Sequence, residues 1–274
     1  MSSKTKYTLL WIFAVIFTLS AAVYQRATGP TYPKKAEVEL NGETYKFKLL
    51  TTQGGESDAP ISLKLPSDVK GMVKYRHYRS KEDWKMLEMK YNGECLNAFL
   101  PNQPPAGKLE YTVSLEYKGK HYNLSEEPVV IRFKGAVPGF ILVPHIILMF
   151  LAMLYSTRTG IEALVNGKRT YLYTTITLIT LGIGGMILGP IVQLYAFGDL
   201  WTGWPFGGDW TDNKTLFAFI FWLIAFFVLR KNKNNRLWPI IAFIVLLSIY
   251  MIPHSMGGSE LDYETGAVTT GIKK

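Results

Sequence analysis

Five long apolar runs cross the chain, at residues 7–23, 139–155, 171–197, 216–229 and 237–253. Each approaches the ~20 residues an α-helix needs to traverse a hydrocarbon core of roughly 30 Å, the fourth and fifth falling on the short side. Tyr7, Tyr24, Tyr155, Tyr171, Trp238 and Tyr250 stand near the run ends, where interfacial rings anchor spanning helices. The pattern predicts an integral membrane protein with an α-helical bundle of five spans.

Between the first and second runs the period changes. Apolar residues alternate at Ala36–Val38–Leu40, Tyr45–Phe47–Leu49, Ile61–Leu63–Leu65, Met72–Val73–Tyr75, Leu109–Tyr111–Val113–Leu115–Tyr117 and Val129–Ile131–Phe133. Turn signals divide them, among them Asn41–Gly42, Gly54–Gly55, Asn92–Gly93 and Lys118–Gly119. Short alternating strands at this spacing predict an all-β sandwich. The odd-numbered residues from Leu109 to Tyr117 are expected to share its buried face. The turn around Pro104, Pro105 and Gly107 ahead of that long strand resembles the corresponding loop of immunoglobulin and fibronectin-type domains, which implies architecture and not function.

Charge orients the chain. With the N-terminus inside, the inner segments hold Lys4, Lys6, Arg158, Lys168, Arg169, Arg230, Lys231, Lys233 and Arg236 against a single acid, Glu162. Residues 196–214 and 254–274, outside in that arrangement, hold three Lys and six acids. The positive-inside bias selects this topology. The formal net charge of +9 is then explained by topology and contact with anionic lipid, and nucleic-acid binding need not be invoked. Residues 1–25 form a first span read as a signal anchor, although Lys4, Lys6 and the Leu19-Ser-Ala-Ala22 segment also describe a cleavable signal. Residues 26–137 form the outer β domain, and 138–274 a four-helix membrane domain with a Trp-rich outer loop at 198–214 and a patterned tail. The expected location is a bacterial inner membrane, with the β domain and C-terminus outside.

Candidate chemistry is sparse. No nucleophile elbow, phosphate loop, zinc-protease motif or cysteine pair occurs, and the lone Cys95 excludes an intrachain disulfide. In the β domain 18 basic and 14 acidic residues are mixed, and the densest basic-aromatic stretch, 75–79, reads as a strand with one wet face. Gly185 and Gly189 in the third span suit close helix packing, with Pro190 kinking the helix after them. Loop 198–214 carries Trp201, Trp204, Phe206, Asp209, Trp210 and Asp212, a composition unlike a flexible connector. Asp212 or Thr211 is expected to cap the next helix. His145 falls within the second span and His254 ends the fifth, on the same side. An ionisable group inside a span is a functional candidate, although a neutral histidine bonded to a carbonyl is the simpler reading.

The tail continues this pattern. The segment 253–266, Pro-His-Ser-Met-Gly-Gly-Ser-Glu-Leu-Asp-Tyr-Glu-Thr-Gly, resembles the end of the last helix in a family of small multi-spanning bacterial membrane proteins of uncharacterised function. Haem b binding is suspected for some members of that family, which the resemblance extends to the His254 segment, although Glu264 stands where the family pattern often has a second histidine. Weighed together, the residues point to a non-enzymatic subunit or accessory component of a larger membrane complex. Its partners are the bilayer and another membrane protein, and its surface is formed by the Trp-rich loop with Glu260 and Asp262. The alternative is a redox module holding haem b or a metal through His145 and His254. The carboxylates of the loop and tail are expected either to cap helices or to hold a cation, with the tail tucked against the loop.

Overall fold

A computed structural model of the chain describes residues 3–253 and 257–270. It divides into two compact units, a β unit of Thr31–Ala136 with Ser259–Thr269, and a helical unit of the remaining described residues. The tail therefore belongs with the β unit, where the sequence grouped it with the helices.

In the helical unit, four helices are long and apolar enough to cross a membrane: Lys4–Thr28, Gly139–Leu164, Thr170–Phe197 and Trp210–Lys231. The fifth apolar helix, Leu237–Met251, is shorter at 15 residues, about 22 Å of rise. In chain order these are α1 (Ser3–Thr28), α2 (Gly139–Leu164), α3 (Thr170–Leu181) running through a π-helical segment (Gly182–Leu188) into α4 (Gly189–Phe197), then α5 (Trp210–Lys231) and α6 (Leu237–Met251). Helix α2 is the hub, packing on α1, α3, α4 and α6. Small residues allow the close approach: Ala152, Ala218, Ala225 and Ala242 are buried around Trp222, and a Cβ added at Gly160, Gly184 or Gly185 would strike Phe243, Leu148 or Thr215. Gly189 has room to spare, so the tight pair is Gly184 and Gly185. The π-helical turn accounts for Pro190. A proline has no N–H and crowds the carbonyl four residues back, and the widened turn lets Gly189 N donate five residues back, to Gly184 O.

In the β unit the chain runs β1 (Lys34–Leu40), β2 (Glu43–Leu49), β3 (Thr52–Gly54), β4 (Ala59–Leu63), β5 (Lys70–His77), β6 (Lys85–Glu88), β7 (Lys90–Tyr91), β8 (Leu96–Leu100), β9 (Lys108–Tyr117), β10 (Lys120–Asn123) and β11 (Val129–Lys134). Strand β9 is central: β5 pairs along nearly all of it on one side, while β11 and β10 share the other. The larger sheet runs β3-β11-β9-β5-β6, a second runs β4-β8-β7, and β1-β2 is a separate hairpin. Asn41–Gly42 and Lys118–Gly119 all have positive φ, which two-residue hairpin turns of this hand require. One buried cluster draws on all three sheets, and Leu109, Tyr111, Val113, Leu115 and Tyr117 all lie in it, as the alternation predicts.

Candidate functional site

The Trp-rich loop is a closed hydrogen-bonded structure. Asp209, not Asp212 or Thr211, caps α5, its Oδ1 accepting from Thr211 N at 2.7 Å. Asp212, within the first turn of the helix, instead faces back: its Oδ2 accepts from Thr202 N at 2.8 Å. Gln193 Nε2, midway along α4, donates to Thr202 Oγ1 at 2.5 Å, and Asn213 Oδ1 accepts from Trp204 N at 2.6 Å. Trp201 Nε1 donates to Trp204 O, and Gly208 N donates to Thr270 Oγ1 at 3.0 Å. Gly203 is needed here, because a Cβ would meet Asp212 and Asn213. With its polar groups satisfied inward, the loop turns Trp204 (69% exposed) and Phe206 (82% exposed) outward, with Leu200 and Trp210 also exposed.

His145 makes the simpler of its two expected contacts: its Nδ1 lies 2.9 Å from Gly184 O, the carbonyl at the π-helical turn. A carbonyl only accepts, so the proton sits on Nδ1 and Nε2 keeps its lone pair. His254 lies outside the described residues.

A second polar centre was not expected. The sequence assigns Arg158 and Glu162 to an inner turn, but α2 continues two turns beyond Tyr155 and carries both, fully buried. Arg158 Nη2 lies 2.6 Å from Glu162 Oε2. The guanidinium carbon sits 5.5, 5.4 and 5.2 Å from the ring centres of Tyr7, Trp11 and Tyr173, an aromatic cage built by α1 and α3. Glu162 Oε1 accepts from Tyr7 OH at 3.2 Å and Arg169 N at 3.0 Å. A Cβ at Gly167 would fall on that carboxylate, so glycine shapes the turn around it. The spacing of four, which puts both charges on one helix face, was the available signal.

In the β unit the tail forms a small hairpin, β12 (Glu260–Leu261) with β13 (Val268–Thr269). Glu260 Oε2 accepts from Lys108 Nζ at 2.5 Å, and Arg79 Nη1 lies 3.9 Å from its other oxygen. Tyr263 stacks on His77 with ring centres 3.9 Å apart. Its phenol oxygen accepts from Lys108 N at 3.0 Å and donates to Gln103 Oε1 at 3.1 Å or Lys108 O at 3.2 Å. Arg132 Nη2 donates to Ser259 O at 2.7 Å, and Leu261 N to Ala106 O at 3.0 Å. Burial holds the Lys108 ammonium below its usual value, partly offset by Glu260. Burial also pushes the Tyr263 phenol up to about 12. The basic-aromatic stretch 75–79, read as a wet strand face, thus supplies part of the tail's seat.

Asp262 is turned into its own hairpin, its Oδ1 accepting from Glu264 N and Thr265 N. Asp209, Asp212, Glu260 and Asp262 are thus each engaged in hydrogen bonds or ion pairs, and among the described residues no three His, Cys, Asp or Glu side chains are grouped as a metal requires.

Compared with known proteins, the chain matches no family model, no curated protein and no solved structure.

Proposed function

We propose that the chain is a non-enzymatic, multi-pass subunit or accessory component of a larger bacterial inner-membrane complex, and that its outer face carries the docking surface. The observation that supports this most is the Trp-rich loop. A connector free to move hides its large rings or leaves them disordered; this one spends Asp212, Asn213 and Gln193 on fixing its backbone while Trp204 and Phe206 stay exposed. Rigid, exposed aromatic anchors are what interfaces use, because little side-chain freedom is lost on binding.

The topology assigned is five spans, N-terminus inside, with an immunoglobulin- or fibronectin-like sandwich outside. Parity supports it. The tail hairpin packs into the same unit as residues 31–136, so the helices between them cross an even number of times. Helices α2, α3–α4 and α5 make three crossings, and α6, despite its length, makes the fourth. Local thinning of the bilayer accommodates a short span at modest cost.

A photo-crosslinking residue at Phe206 in native membranes tests the reading. A discrete protein adduct is expected; adducts to lipid alone would overturn it. The redox alternative retains one supporting observation, the Nδ1–H bond from His145 to Gly184 O, which is how an axial histidine is oriented toward a metal. It predicts a Soret band in the purified protein that is lost in His145→Ala, and a colourless preparation after haem supplementation removes it.

A further inference from the structure

The tail hairpin is a folded ligand seated on the β unit and not a strand of it. Asp262 N donates to Ala267 O and Gly266 N to Asp262 O, both at 2.8–2.9 Å, and Thr269 Oγ1 donates to Glu260 O. These bonds close the hairpin on itself. It joins neither of the larger sheets, forming a two-stranded sheet of its own. What holds it to the domain is largely polar: a carboxylate on Lys108 and Arg79, one main-chain bond to Ala106, a carbonyl on Arg132, the Tyr263 hydroxyl on Lys108 and Gln103, and the Tyr263 ring on His77. The receiving groups come from the end of β5, the turn before β9, β9 itself and β11, all parts of the main β framework. Gly107 completes the shape, since a Cβ there would strike the Tyr263 hydroxyl. The charges are complementary, with Arg79, Lys108 and Arg132 facing a hairpin that carries Glu260, Asp262 and Glu264; one acid, Glu82, lies on the domain side, 3.0 Å from His77.

We propose that this cleft is a recognition site for an acidic protein segment with a tyrosine three residues after a carboxylate. The chain's own tail is its resident occupant, displaced by a segment of the same chemistry on a partner. A preformed basic site with a stacking ring reads acidic motifs in this way. A self-folded ligand held by ion pairs, hydrogen bonds and one stacked ring can leave without taking the domain's core with it. The proposal stands apart from the Trp-rich loop, so failure of crosslinking at Phe206 leaves it untouched.

The test uses full-length protein in detergent with a protease site inserted between Gly257 and Gly258, and a fluorescent synthetic peptide of residues 257–270 as probe. Uncut protein should exclude the peptide, because the tethered tail competes at high effective concentration. Cut protein should exchange its fragment for the probe. Binding should fall about tenfold when Glu260→Gln is placed in the peptide or Lys108→Gln in the protein, and should weaken as salt rises from about 50 to about 500 mM. An uncut Tyr263→Ala chain, whose own tail is weakened, should also admit the probe, which guards against a folding defect from the inserted site. If neither protein takes up the peptide, or if uptake ignores both charge substitutions, the proposal is wrong.

Discussion

Two cation–carboxylate pairs among the described residues, Arg158 with Glu162 and Lys108 with Glu260, differ in almost every respect. Arg158 and Glu162 sit one turn apart on a single helix, are wholly buried, and are walled by three aromatic rings. Lys108 and Glu260 are 152 residues apart, retain 19% and 17% side-chain exposure, and meet only because the tail returns to the β unit. The first pair cannot open to water without unpacking α1, α2 and α3. The second can part by releasing a hairpin. A pair on one rigid element is part of the fold, whereas a pair between a domain and a self-contained segment is a joint.

The largest effect should come from breaking the first pair on one side only. Arg158→Met or Glu162→Leu leaves an uncompensated buried charge, costing about 3–5 kcal/mol. Loss of monodisperse protein on heating in detergent reads this, and the double replacement should recover most of the loss. If the single and double variants melt alike, the charges are not coupled. Next comes the cage. Trp11→Ala removes one ring from the guanidinium and its packing on Tyr155 and Tyr173, costing about 2 kcal/mol or more by the same measurement. An unchanged melt would mean that α1 does not stabilise the centre.

The joint should respond differently. Lys108→Gln is expected to weaken tail docking by about 1–2 kcal/mol, seen as faster proteolysis within 259–269, with the melting of the β unit nearly unchanged. A matching fall in the domain's melting would make the hairpin part of its core. The smallest effect is with pH. The docked Tyr263 phenol ionises near 12, above the ordinary value of about 10. A released tail therefore ionises first, and docking weakens as pH rises from roughly 10 toward 12 while remaining unaffected below that window. Tyr263→Phe should remove this alkaline loss, measured by tail proteolysis across that range.

Local pattern accounts for what was legible. The buried register of β9 follows from strict alternation, and α1 to α5 from apolar run length. Strand β8 was missed because Phe99 points outward and is exposed, masking the alternation of Leu96, Ala98 and Leu100. The end of α2 was set too early because Ser156-Thr-Arg-Thr-Gly160 reads as a turn. Its burial depends on Tyr7, Trp11 and Tyr173, which no local window contains. The tail's pattern was visible as unusual, but its seat was not, since Lys108 and His77 lie more than 150 residues upstream. Long-range partners leave no mark on the segment that needs them.

The discontinuity of the β unit also sets an order of events during synthesis. Residues 31–136 emerge early and, as domains do, begin to fold as a unit while later residues are still being added. Their last component, 259–269, is made only after α2 through α6 have been translated. The tail's seat on the β unit therefore stays unfilled until α2 through α6 have been translated. A chain that stalls before residue 259 leaves Lys108 and His77 without the tail that otherwise packs on them, so the state of the β unit records whether translation has reached its last component.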